Sequence, residues 1–160
     1  MSQEYIHGHE LRLAGISCRT TNSQEAGPNG QIPGLWDAYF KSSIAERIHA
    51  ENPHLTYALY TDYESDASGA YTLLIGHELS SSESADLSGL EEAVVPAAKY
   101  MVFTSNRGPV NEVVVEAWGR IWSYFQNSEE QRAYTGDYEL YDARNMSPDD
   151  AVVQIYIAVK

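Results

Sequence analysis

The chain has 160 residues, enough for one ordinary domain, 1–160, with a sizeable buried interior. Its net charge of -13 argues against direct contact with nucleic acid, because neutralising phosphate groups requires a basic patch and only 10 lysine and arginine residues are present. The single cysteine, Cys18, excludes an internal disulfide bond and a cysteine-based zinc site.

The first half of the chain predicts the order strand, helix, strand, strand. Alternating apolar residues predict a strand over 10–20, with a bulge at Gly15. Apolar residues at helical spacing predict a helix over about 32–52. Strands over 55–63 and 71–79 follow and form a hairpin around a polar turn.

The second half predicts the same order after a polar, acidic segment over 80–90, which is typical of a linker. Its elements are a short extended piece at 93–96, a strand over 99–105, a helix over 110–126, and strands over 137–143 and 151–160. No apolar run approaches the roughly 20 residues that span a bilayer, and the N-terminus lacks the pattern of a signal peptide. We therefore expect a cytoplasmic protein with no membrane partner.

The two matching orders indicate an internal duplication, with repeats over about 8–79 and 91–160. A local echo supports it, since Leu59-Tyr60 recurs as Leu140-Tyr141, 81 residues later. Three strands and one helix bury too little apolar surface alone, so the halves should share an interface. The predicted fold class is α+β, with two small antiparallel sheets and helices on their outer faces.

Strand alternation singles out Glu139 as the candidate binding residue. Tyr138 and Leu140 occupy one face of their strand, and Glu139 and Tyr141 occupy the other. We expect the helices to cover the apolar face, which leaves Glu139 and Tyr141 on an uncovered surface. An isolated buried carboxylate is expensive, so Glu139 should be paired, solvated or positioned for a cationic ligand.

The same alternation places Tyr60 and Tyr156 on the side of Glu139 and Tyr141. Aromatic ring faces attract positive charge and a carboxylate neutralises it, so three phenols around one glutamate are typical of a cation site. The composition agrees, since 12 tyrosines stand against 3 phenylalanines and rings with a polar tip suit a pocket wall. A solvated glutamate on an exposed sheet face is the alternative interpretation.

Six segments, spread over nearly the whole chain, carry a resemblance to a known family. They are IPGLW at 32–36, YTDYESD at 60–66, GAYTLLIG at 69–76, WGRIW at 118–122, DYELY at 137–141 and IYI at 155–157. In order and spacing they resemble the GyrI-like small-molecule-binding family, also called the effector-binding domain of AraC-type and MerR-type transcription activators. The resemblance implies duplicated β-α-β-β units of the SHS2 type with a ligand cleft between the halves.

The resemblance also implies roles for particular residues. In many relatives a glutamate on the penultimate strand, ringed by aromatic residues, binds lipophilic cations. That glutamate corresponds to Glu139, and its aromatic neighbours correspond to Tyr60, Trp118, Tyr141 and Tyr156. From the residues alone, Trp118 could equally be a core residue of its helix.

Three functions from different classes follow. The first is a stand-alone effector-binding protein, similar to those carried on mobile gene cassettes, which binds a hydrophobic cation and has no helix-turn-helix to read DNA. Some stand-alone relatives hydrolyse strained cyclopropane-bearing compounds, and Glu139 would then act as a general base on water or stabilise developing positive charge. A protein-interaction role, such as gyrase inhibition, is the third. We expect no cofactor and no metal site, since His7 and His9 lack a third ligand.

Overall fold

The computed structural model describes residues 4–28, 30–48, 50, 52–65, 69–79, 89–144 and 146–160. The strands in these ranges are β1 (Glu4–Gly8), β2 (Leu11–Thr21), β3 (Leu55–Thr61), β4 (Ala70–Glu78), β5 (Glu91–Val95), β6 (Ala98–Thr104), β7 (Asp137–Asp142) and β8 (Gln154–Val159). The helices are α1 (Asn22–Glu25), α2 (Ile32–Ser42), α3 (Ile44–Arg47) and α4 (Val110–Gln126). The predicted first long helix is two helices, because Ser43 between them has left-handed backbone with a φ of 52°. Strand β1 was not predicted.

The eight strands form one antiparallel sheet in the order β1-β6-β8-β7-β3-β4-β2-β5. This confirms the α+β class and the antiparallel pairing. The expectation of two separate sheets is wrong, because β3 and β7 pair from Leu55↔Asp142 to Tyr60↔Asp137 and join the halves. Their pairing satisfies backbone groups that would otherwise lie on two exposed sheet edges.

The strand order is symmetrical about the β3–β7 junction. The sheet runs outward through β4 and β2 on one side and through β8 and β6 on the other. The short strand before each long first strand adds to the opposite half, since β1 pairs with β6 and β5 pairs with β2. A duplicated chain would give this order, but the repeat limits at 8–79 and 91–160 stay a prediction. Residues 80–88 of the expected linker lie outside the described residues.

Two glycines face each other where β2 pairs with β4. The register is continuous through Gly15↔Gly76, so the bulge predicted at Gly15 is absent from this pair. A Cβ atom at Gly15 would lie 2.0 Å from the carbonyl oxygen of Ile75, and one at Gly76 would lie 2.0 Å from that of Ala14. Glycine is therefore required at both positions by the close approach of the two backbones.

Both faces of the curled sheet are apolar and buried. The inner face packs residues of strands that are distant in the sheet order: Leu11, Leu13, Tyr57, Leu59, Tyr100, Tyr138 and Ala158. The outer face packs against the helices, with Ile155 and Ile157 beneath Ile121 of α4. Ala58 and Leu73 lie in the same way beneath Trp36 of α2.

This arrangement corrects the predicted face of β3 and β7. Leu59 and Tyr138 were expected to face the helices, but they lie on the inner face of the curl. The predicted face of β8 is correct, since Ile155 and Ile157 do face α4. Apolar alternation shows that a face is buried, but it cannot show what buries it when both faces are apolar.

Candidate functional site

A cavity of about 910 Å³ lies on the helix-bearing face of the sheet, with residues of α2, α4, β3 and β7 in its wall. Its volume is in the range of small-molecule sites. Nine of the lining residues are aromatic: Trp36, Tyr39, Phe40, Tyr60, Tyr63, Tyr71, Trp118, Trp122 and Tyr141. Three lining residues have charged side chains, namely Glu25, Arg132 and Glu139.

Glu139 places its carboxylate among these rings and is only 3% exposed. Its Oε2 atom accepts hydrogen bonds from the Tyr60 hydroxyl at 2.8 Å and from Nε1 of Trp118 at 2.7 Å. Its Oε1 atom accepts one from the Tyr141 hydroxyl at 2.5 Å. Each of the two carboxylate oxygens therefore has an uncharged donor.

Strand register produces this geometry. Glu139 of β7 pairs with Ala58 of β3, whose small side chain leaves room on the shared face. Tyr60 follows Ala58 by two residues and Tyr141 follows Glu139 by two. Because the strands are antiparallel, the two phenols lie on opposite sides of the Ala58–Glu139 pair, and each reaches a different carboxylate oxygen.

The electrostatic environment of Glu139 is unusual for a carboxylate. Burial raises the pKa of Glu139, and the hydrogen bonds from Tyr141, Trp118 and Tyr60 only partly oppose that rise. Burial also raises the pKa of Tyr60 and Tyr141 well above the ordinary value, so both phenols stay protonated donors. Among the described residues, no ion pair includes Glu139.

Glu25, which carries the second carboxylate of the cavity wall, accepts hydrogen bonds from the protein at both carboxylate oxygens. Its Oε1 accepts from the backbone N–H of Ile32 at 3.0 Å and its Oε2 from that of Gln31 at 2.9 Å, at the start of α2. The Thr20 hydroxyl donates to Oε2 as well. Burial would raise the pKa of Glu25, but these hydrogen bonds outweigh it and lower the pKa. Glu25 therefore acts as a helix cap.

Arg132, the cationic residue of the wall, is neutralised by Asp137. The Nη2 atom of Arg132 lies 2.6 Å from Oδ2 of Asp137, and both side chains are buried. The hydroxyl of Tyr63 donates to the same oxygen at 2.5 Å, and the backbone N–H of Ala158 donates to Oδ1 at 2.8 Å. The ion pair fixes the loop before β7 to the sheet.

The structure brings together four of the five predicted site residues: Tyr60, Trp118, Glu139 and Tyr141. It does not bring Tyr156 to them. In the β7–β8 register Glu139 pairs with Ile155 and Tyr138 pairs with Tyr156. Tyr156 therefore stacks on Tyr138 on the inner face, with ring centroids 4.7 Å apart. Tyr156 was predicted to lie beside Glu139. That placement is corrected, because Glu139 lies on the helix-bearing face of the sheet and Tyr156 lies on the inner face.

The contributions of α2 and of the loop before β7 to the cavity wall were not predicted. The Trp36 ring lies 5.1 Å from the Tyr141 ring, edge to face. Tyr39 bonds through its hydroxyl to Oγ1 of Thr56 at 2.9 Å and to Nε2 of the buried His77 at 2.7 Å. The apolar stripe of α2 was available as a signal, but an aromatic stripe over a cavity has the same spacing as one over a core.

Comparisons with known proteins agree with this architecture. A family model described as integron-associated effector binding protein matches residues 9–159. The "Putative transcriptional regulator protein YobU" of Bacillus subtilis (strain 168) is 38% identical over 152 residues, covering 93% of this chain and 92% of YobU.

Two solved structures are similar in fold. One is the integron cassette protein VCH_CASS2 from the mobile metagenome of Vibrio cholerae, with a TM-score of 0.79 and 28% identity over 99% of this chain and 95% of that chain. The other is SAV2435 bound to tetraphenylphosphonium, with a TM-score of 0.79 and 20% identity over 100% of this chain and 94% of that chain. No helix in the described ranges is long and apolar enough to cross a membrane.

Proposed function

This chain belongs to the family of integron-associated effector-binding proteins, and we propose that its cavity binds lipophilic, positively charged small molecules. The observation that carries the proposal is the state of Glu139. Its carboxylate is buried in an aromatic cavity, receives three uncharged hydrogen bonds and lacks a cationic partner among the described residues. A buried charge is stable only when it is compensated, and an organic cation in the cavity would compensate it.

The aromatic wall supplies the second part of the interaction. Rings hold an organic cation through apolar contact and through the attraction of their faces for positive charge. The rings of Tyr60 and Trp118 lie 5.2 Å apart, edge to face, and both side chains hydrogen-bond to Glu139. A cation that contacts the carboxylate therefore also contacts the rings. The net charge of -13 favours the approach of cations from solution.

The similar fold of SAV2435 supports the proposal by analogy. That protein is described as bound to tetraphenylphosphonium, a cation whose charge is enclosed by four phenyl rings. At 20% identity the similarity concerns the fold, so the ligand of this chain is argued from its own cavity.

Tryptophan fluorescence offers a direct test. The chain's three tryptophans, Trp36, Trp118 and Trp122, all line the cavity. We expect tetraphenylphosphonium to change the fluorescence saturably and to raise the melting temperature by mass action. Tetraphenylborate has nearly the same shape and the opposite charge, and we expect no saturable change with it. Equal binding of the two ions, or binding of neither, would contradict the proposal.

A further inference from the structure

Arg132 has donor capacity that the protein does not use. Arg132 is 7% exposed and lines the same cavity as Glu139. Its Nη2 atom donates to Asp137 at 2.6 Å and to the Tyr63 hydroxyl at 3.4 Å. Its Nε atom is buried without a partner, and no hydrogen bond from Nη1 occurs among the described residues. Buried donors are rarely left unpaired, because nothing then compensates the loss of their hydrogen bonds to water.

One indole connects this guanidinium to the candidate cation site. Nε1 of Trp118 donates to Glu139, while Cζ of Arg132 lies 5.9 Å from the centroid of a Trp118 ring. The Tyr134 ring packs on the guanidinium at 4.5 Å and holds it in place. A molecule that contacts the carboxylate and extends along Trp118 therefore reaches Arg132.

We propose that Arg132 is a second anchor of the cavity, and that the ligands are lipophilic cations that also carry an uncharged hydrogen-bond acceptor, such as a carbonyl or ether oxygen. The proposal rests on the proposed binding of cations at Glu139. It assigns the cationic part of the ligand to Glu139 and the acceptor to Nη1 of Arg132, from which no hydrogen bond occurs among the described residues.

The charges of the wall favour a neutral acceptor over an anionic one. Asp137 already neutralises Arg132, at 2.6 Å and with a side chain that is 0% exposed. The two other charged lining residues, Glu25 and Glu139, are both acidic. An anionic group on the ligand would therefore be buried near three carboxylates with one guanidinium to share. An uncharged oxygen accepts from Arg132 without that repulsion.

Three matched phosphonium compounds test the proposal by titration with tryptophan fluorescence. The first is pentyltriphenylphosphonium, which has no acceptor. The second carries a chain of the same length that ends in a methyl ester, and the third is the corresponding carboxylate. In the unmodified protein we expect the ester to bind about tenfold more tightly than the pentyl compound, as fits a hydrogen bond from a charged donor. We expect the carboxylate to bind no more tightly than the pentyl compound.

Substitutions of Arg132 and Asp137 test whether the tighter binding of the ester depends on Arg132. Arg132→Lys keeps a cation for Asp137 but has no planar fork, so in this variant the ester should lose its advantage over the pentyl compound. If this variant does not fold, the double variant Arg132→Met with Asp137→Asn removes both charges together and should behave in the same way. A melting curve of each variant checks folding.

Two sets of results separate this inference from the proposed function. If the pentyl compound binds but the ester binds no more tightly, or keeps its advantage in both variants, the role of Arg132 is refuted and cation binding stands. A carboxylate that binds most tightly would also refute the neutral acceptor. If the pentyl compound does not bind the unmodified protein, the proposed function fails and the inference fails with it.

Discussion

Replacing Glu139 by Gln should separate charge from shape in the cavity. The glutamine oxygen can still accept from Tyr60 and Trp118, and its NH2 group can donate to the Tyr141 hydroxyl, which can rotate to accept. The variant therefore keeps the volume and the hydrogen bonds and loses only the negative charge. Truncating one partner of a desolvated charge pair costs about 2–5 kcal/mol. We expect the affinity for tetraphenylphosphonium to fall by roughly thirtyfold or more.

The same variant should become more stable when no ligand is present. Burial holds the pKa of Glu139 above its ordinary value, so the folded state retains this proton to higher pH than the unfolded state. Raising the pH from the unfolded-state pKa through the folded-state pKa therefore removes stability. The free protein carries the full penalty at pH values above the folded-state pKa, and Glu139→Gln removes it. Urea unfolding at neutral pH and at pH 4 should show that the variant gains stability mainly at neutral pH.

Glu25→Gln is the matched control, because Glu25 is a carboxylate of the same cavity that caps α2. We expect it to lose about 0.5–2 kcal/mol of folding stability, as helix caps do. Its effect on tetraphenylphosphonium affinity should be less than about threefold, since backbone donors already compensate its charge. Calorimetric titration measures both affinities. Similar losses in the two variants would show that Glu139 has no special role, and no loss in Glu139→Gln would refute the reasoning.

Three other substitutions should have separable effects. Tyr156→Leu should lower the free energy of unfolding by about 1–3 kcal/mol, because it removes a ring stacked on the inner face. It should leave the affinity for tetraphenylphosphonium unchanged, and weakened binding would show that Tyr156 belongs to the binding site. Gly15→Ala should destabilise the protein by more than about 3 kcal/mol in urea unfolding, since its Cβ would lie 2.0 Å from the carbonyl oxygen of Ile75. Near-wild-type stability would mean that the β2 and β4 backbones can move apart at this position. Tyr141→Phe should weaken cation binding by about three- to tenfold in calorimetry, because the charged carboxylate loses one of its hydrogen-bond donors. Unchanged affinity would show that this hydrogen bond does not stabilise the charged form of Glu139.

Much of the fold and the centre of the site could be predicted from local periodicity. The period of two in β3 and β7 places Tyr60, Glu139 and Tyr141 on one face, and the structure has them hydrogen-bonded together. The helical period of α4 gives its limits, 110–126, as the structure has them. These features depend on neighbours in the chain or on a single strand pair, which is the range over which sequence patterns carry information.

The features that were missed depend on how the sheet closes. A curled sheet buries both faces, so the apolar residues Leu59 and Ile155 look alike in sequence although they lie on opposite faces. That ambiguity placed Tyr156 beside Glu139. The Arg132–Asp137 pair was missed as well, because Arg132 lies in the loop before β7 and only the tertiary packing brings this loop onto the strand.

The protonation state of Glu139 with and without a cation tests the central claim most directly. In a sample with carbon-13-labelled glutamate side chains, Glu139→Gln identifies the Glu139 carboxyl signal by its loss. In the free protein we expect its pKa to lie above the ordinary value of about 4.3, because burial disfavours the charged form. Saturating tetraphenylphosphonium should lower that pKa, because a cation in contact favours the carboxylate. A pKa that is the same with and without the cation, or that already lies at or below 4.3 in the free protein, would contradict the claim that a bound cation neutralises Glu139.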